Sequence, residues 1–163
     1  HGVMVETAKT TSMVFIILIG AAMLTSAFRA FGGEELVRNF LSSLPGGFWA
    51  QFIVVMAVIF FLGFFLDFIE IVFVVVPIVG PALLMQDINP VWFAIMIAVN
   101  LQTSFLTPPF GFSLFYLRSV APPEINTADI YRGVVPFVIM QLGLLLLLAL
   151  RPGLATWLPS LLG

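Results

Sequence analysis

The sequence predicts an all-α integral membrane fold, and three features carry that reading. The 163 residues are 61% hydrophobic and only 9% charged, against about 25% charged in ordinary soluble domains. Mean hydropathy is +1.18. The apolar residues fall in long runs along the whole chain, the pattern of membrane helices. Phe contributes 18 residues, bulk suited to lipid-facing and bundle-packing surfaces. Cysteine is absent, which excludes disulfides, thiol catalysis and cysteine metal sites. The net charge of −2 is thinly spread and gives no footprint for nucleic acid. The chain opens on His1, and no segment reads as a removable signal peptide. The expectation is the C-terminal part of a longer membrane protein.

Residues 1–31 form the first predicted spanning helix. Its apolar run begins near Thr11, and about 20 residues at 1.5 Å each cover roughly 30 Å, one bilayer crossing. Arg29 can snorkel at its end. Residues 32–49 are an amphipathic connector. Leu36, Val37, Phe40, Leu41 and Leu44 recur at three- and four-residue steps, with Glu34, Glu35, Arg38 and Asn39 opposite. Such a helix lies in the membrane interface or packs on the protein surface, and the pattern alone leaves both open.

Residues 50–85 are too long for one straight span and too short for two, which need about 20 residues each. Near the middle, "GFFLDFIEI" places Gly63 beside two intramembrane acids, Asp67 and Glu70, at capping-box spacing. One helix is expected to end near residues 63–66 and another to start at Asp67. The two would form a re-entrant hairpin whose second arm is bent by Pro77 and Pro81. Residues 90–118 are a second discontinuous helix. Pro90 opens it and Thr107-Pro108-Pro109 breaks it, with Thr107 expected to cap a new helix that has Pro108 at its first position. Residues 119–133 read as a polar loop. Residues 134–163 read as a last spanning helix and a tail that Trp157 anchors at the interface.

Interrupted helices in lipid strand backbone groups, which is tolerated where they are buried in protein or line a cavity. Each break offers two kinds of end. Carbonyls near Leu66 and Leu106 suit a small hard cation, and amides near Asp67 and Pro108 suit an anion. Paired discontinuous helices point to a transporter binding site. Oxygen groups of Asn100, Thr103, Ser104 and Thr107 would complete a sodium site, and no nitrogen or sulfur cluster suggests a transition metal. Taken singly, each feature has a plainer reading: Thr-Pro-Pro as a kink, the hydroxyls as interhelical hydrogen-bond groups, Asp67 as a cap. The combination is what points to function, since an intramembrane acid is a functional candidate by default. With a hairpin, Arg29, Arg38 and Arg151 fall on one side and Lys9, Arg118 and Arg132 on the other. A full crossing would suit the positive-inside rule slightly better, so charge leaves the orientation open.

The stretches "GFFLDFIEIVFVVVPIVGP", "NLQTSFLTPPFGFSLFYL" and "DIYRGVVPF" closely resemble the large membrane subunit of tripartite ATP-independent periplasmic (TRAP) transporters, in its C-terminal part. The resemblance covers nearly the whole chain. It implies the second inverted repeat of an elevator-type secondary transporter in the bacterial inner membrane. A sodium gradient would drive import of organic anions, commonly carboxylates. The implied partners are a periplasmic substrate-binding protein, a small membrane subunit, the remainder of the large subunit and the lipid bilayer; no organic cofactor is implied. Gly63 and Asp67 would lie at the hairpin tip. Sodium would fall to Gly63, Asn100, Thr103, Ser104 and Thr107, and the substrate to Asp67, Thr107, Pro108 and Pro109. Arg118 and Arg132 would face the cytoplasm, which makes residues 119–133 a cytoplasmic loop.

Two rival classes are weighed against this. An intramembrane enzyme lacks support: HExxH, GxSG and a second GxGD-type aspartate are missing, and the one histidine is His1. A non-transporting scaffold or channel subunit would explain the spans but not two aligned helix breaks.

Overall fold

The computed structural model describes residues 2–108, 111–122 and 124–162. All regular structure among them is helical. Helix α1 (Gly2–Ala30) has 29 residues, and only 6% of its most apolar window is buried. From Met13 to Leu24 its surface is apolar all round, as expected of a helix whose surroundings are lipid rather than water. Arg29 in its last turn complements the helix dipole and pairs across Gly32 with Glu34 at 3.4 Å. Gly32 has φ 76°, which ends α1 and starts α2 (Gly33–Ser42). Helix α2 packs one face on the rest of the protein. Leu41 is buried in the core and Val37 and Leu44 pack against it, while Leu36 and Phe40 stay exposed.

Helix α3 (Gly47–Leu62) leads into a tight turn over residues 63–67. The chain returns through α4 (Phe68–Glu70), a π-helical turn (Ile71–Val75) and α5 (Val76–Leu84). The 16 and 17 residues of the two arms reach about 25 Å each, short of the roughly 30 Å hydrocarbon core. The open end of this hairpin is tied by a hydrogen bond from Gln86 Nε2 to Gln51 Oε1. The irregularity in the second arm falls just before Pro77. The Val76 amide bonds to the Ile71 carbonyl, one residue further back than in an α-helix. A widened turn here gives the proline ring room against the preceding carbonyls.

Helix α6 (Pro90–Leu106) is the centre of the packing. Asn89 caps it, accepting from the Val91 and Trp92 amides, and Pro90 occupies the first turn, where its missing donor costs nothing. One side of α6 packs on α3 and another on α8 (Thr127–Leu150), with α9 (Gly153–Leu162) near its start. Phe52, Trp92, Phe93, Met96 and Ile97 make one buried cluster with Ile59, Ile71 and Leu83 of the hairpin. The Trp92 indole stacks on Phe52 at 5.1 Å and its Nε1 donates to the Leu148 carbonyl at 2.8 Å.

One sequence expectation needs correction. Residues 127–133 are not loop: they are the first turns of α8, opened by a capping box in which the Asn126 and Asp129 side chains each accept from the other residue's backbone N–H. Polar residues there reflect exposure, and the helix still buries Ile130 and Val134. The C-terminal tail forms α9, with Ala155 buried in the core cluster and Trp157 exposed.

Candidate functional site at the paired helix breaks

Asn100, Thr103, Ser104 and Thr107 are spaced i, i+3, i+4 and i+7, so one face of α6 carries all four. That face is apolar at Phe93 and Met96 and turns polar as it nears the break, yet it stays covered. Asn100, Thr103 and Ser104 are buried and Thr107 is half-buried. An uncompensated buried hydroxyl or amide costs about 1–3 kcal/mol, and each of these groups has a partner. Asn100 Nδ2 donates to the Met56 carbonyl of α3 at 2.8 Å. Thr103 Oγ1 donates to Val99 O, Ser104 Oγ to Leu101 O, and Thr107 Oγ1 to Thr103 O, at 2.7, 2.8 and 2.7 Å. A hydroxyl that donates this way keeps its lone pairs as acceptors.

The two breaks meet. Gly63 caps the C-terminus of α3 and is buried against Ser104 so closely that a Cβ at position 63 would collide with Ser104 Oγ. Two helix C-termini therefore converge, both with partially negative carbonyl ends, beside buried hydroxyl oxygens. This donor set is oxygen throughout, the kind that suits a small hard cation. Among the described residues no group of three His, Asp or Glu side chains is placed to hold a metal.

Asp67 stands apart. It is the N-cap of the second arm, exposed, and its Oδ1 accepts from the adjacent Phe68 amide at 2.7 Å rather than from the amide of Glu70. No hydrogen bond joins it to the α6 stripe among the described residues. The second break also differs from expectation. Thr107 is extended (φ −84°, ψ 123°) and closes α6; it does not cap a helix starting at Pro108. The next helix, α7 (Phe112–Val120), begins after Gly111. The Gly111 amide donates back to Thr107 O at 3.1 Å. Pro108 is half-buried, and Pro109 lies outside the described residues.

Sequence reasoning missed Gly111. A Cβ there would collide with the Phe105 carbonyl oxygen and approach Thr107 O at 3.0 Å. The available signal was a glycine two positions after a proline pair, where the chain must fold back on a helix end. Gly111→Ala is expected to lower stability by roughly 1–3 kcal/mol, because backbone rather than a side-chain tip would have to move. A denaturant titration of the full permease would test it, and an unchanged midpoint would mean that this close approach is absent.

The fold and site together define a multi-helix integral membrane protein whose two interrupted helices meet at a buried polar seam. The family described as "Tripartite ATP-independent periplasmic transporter, DctM component" matches residues 1–154, and the chain belongs to it. The sialic acid TRAP transporter permease protein SiaT of Haemophilus influenzae is 32% identical over 68% of this chain and 18% of its own length. The 2,3-diketo-L-gulonate TRAP transporter large permease protein YiaN of Escherichia coli is 28% identical over 93% of this chain and 35% of its own. The C4-dicarboxylate TRAP transporter large permease protein DctM of Rhodobacter capsulatus is 25% identical over 99% of this chain and 36% of its own. The chain thus spans between 18% and 36% of the length of these relatives. They are transporter permeases, not enzymes. No solved structure gives a significant match.

Proposed function

We propose that this chain is the C-terminal part of the large membrane subunit of a sodium-coupled secondary transporter in the bacterial inner membrane. It imports organic anions handed over by a periplasmic binding protein, with a small membrane subunit as partner. In this reading α3 to α5 form a re-entrant hairpin of the second inverted repeat, and α6–α7 is the discontinuous helix of an elevator. The observation that carries it is the contact of the hairpin tip at Gly63 with Ser104, where the polar stripe of α6 ends at its break. Sodium is held by Gly63, Asn100, Thr103, Ser104 and Thr107. The substrate carboxylate meets the amide end of the second arm at Asp67 and the break of α6 at Thr107 and Pro108. Names of relatives support the substrate class, since sialic acid, diketogulonate and C4-dicarboxylates all carry a carboxylate.

Tracer uptake of organic acids into proteoliposomes tests the proposal. They carry the full permease with its small subunit, with binding protein outside. Uptake is expected with an inward sodium gradient and not with an equal potassium gradient. Thr107→Val should raise the sodium concentration for half-maximal uptake by about tenfold, the equivalent of one ion–dipole contact. Uptake indifferent to sodium would sink the ion assignment.

One observation favours a scaffold or channel subunit instead: each polar group of the α6 stripe already has a protein carbonyl, as in a purely structural seam. Asp67→Asn separates the two. A scaffold keeps assembly and partner function, whereas a carrier loses transport or its sodium dependence.

A further inference from the structure

A cavity of about 290 Å³ opens where the C-terminal end of α1 meets α2 and α5, far in sequence from the polar seam of α6. Arg29, Glu34, Glu35 and Arg38 line it, and Pro81 and Met85 form the opposite wall. Two arginines and two glutamates cancel in formal charge. Arg29 is engaged with Glu34 at 3.4 Å. Glu35 and Arg38 make no ion pair among the described residues. They lie three residues apart on one helix, so the cavity presents one open anion beside one open cation.

We propose that this corner binds the zwitterionic headgroup of a membrane phospholipid of the phosphoethanolamine type. A simple anion would meet two carboxylates, and a simple cation two guanidiniums. A ligand with phosphate and ammonium on one short linker satisfies both open groups. Arg38 takes the phosphate, for which the guanidinium fork is the best side-chain match. Glu35 accepts from the ammonium. The source is the membrane rather than a soluble zwitterion, because the polar cavity is set in apolar surface. Helix α1 presents exposed apolar side chains from Met13 to Leu24, and Arg29 in its last turn marks the headgroup level. Leu36 and Phe40 of α2 and Met85 after α5 are exposed around it, where acyl chains begin. The volume lies just below the ~300–1,000 Å³ of small-molecule sites, which suits a headgroup and not a whole lipid. This inference needs the chain to be membrane-embedded and does not depend on what the permease carries.

The test is lipid retention by the purified full permease, read by native mass spectrometry. Phosphatidylethanolamine, phosphatidylcholine and phosphatidylglycerol are offered at equal concentration. Phosphatidylethanolamine should be retained preferentially. Arg38→Gln should lower its retention by about tenfold, as for one lost charge-assisted hydrogen bond. Glu35→Gln should erase the preference over phosphatidylcholine, whose quaternary ammonium has no N–H to donate. Arg132→Gln, an exposed arginine elsewhere, should change nothing. Equal retention by wild type and both variants would overturn the proposal, as would preference for phosphatidylglycerol. Displacement of the lipid by soluble phosphoethanolamine at matched concentration would also overturn it, and would mark the corner as a solute site.

Discussion

Trp92→Ala is expected to lower the unfolding free energy of the permease by about 3 kcal/mol, the lower end of the range for a buried Trp truncated to Ala. The lower end applies because lipid tails are as apolar as the core, so burial from water contributes little and packing contributes most. Trp92 is buried, stacked on Phe52, and part of the cluster that joins α3, α6, α8 and α9. It also solves a hydrogen-bond problem set by the sequence. In a continuing helix the Leu148 carbonyl would accept from residue 152, but residue 152 is proline and has no N–H. The indole Nε1 of Trp92 donates to that carbonyl at 2.8 Å instead. Trp92→Phe keeps the ring and removes the donor, so it should cost about 1 kcal/mol, in the range of interhelical bonds in membranes. Denaturant unfolding in bicelles would measure both. If Phe proved as costly as Ala, the bond rather than the packing would be holding α6 to α8.

Gly63→Ala should destabilise the protein by about 1–3 kcal/mol, the usual cost of forcing a methyl into a filled space. The obstacle is Ser104, whose Oγ occupies the space of the new Cβ and whose own Cβ lies 3.0 Å from it. Ser104 is fully buried and its hydroxyl is committed to Leu101 O, so it has nowhere to swing. Ser104→Ala removes the obstructing oxygen. By itself it should cost less than Gly63→Ala, since the hydroxyl's partner is a carbonyl of its own helix. The double variant should be more stable than the sum of the singles by about 1 kcal/mol or more, the coupling seen between touching residues. Additive effects would mean that the hairpin tip and the end of α6 do not touch, and the site proposed here would lose its geometric basis. Measured alongside stability, sodium-dependent uptake should fall in Gly63→Ala and recover only in part in the double variant. Relief of the clash restores the contact but not the hydroxyl.

Composition by itself determined that this is a helical membrane protein, because 9% charged residues cannot cover a water-facing surface. Local rules that act over a few residues were legible in the same way: Pro90 opening α6, Asp67 starting the second arm, Thr107 ending α6 before two prolines. The start of α8 is written in "NTAD" as a capping box, although the polarity of the residues around it reads as irregular chain. The polar stripe 100–103–104–107 could be seen in the spacing, but not what it faces. Tertiary structure alone decided that Gly63 lands on Ser104, that Asn100 reaches the Met56 carbonyl 44 positions away, and that Trp92 serves a carbonyl 56 positions away. It also put Asp67 out on the surface of the tip, away from the seam. Caps, breakers and periodicity are set by neighbours within one or two helical turns, so a sequence displays them. A contact between distant helices depends on how every intervening turn aims the chain, and no local pattern records that sum.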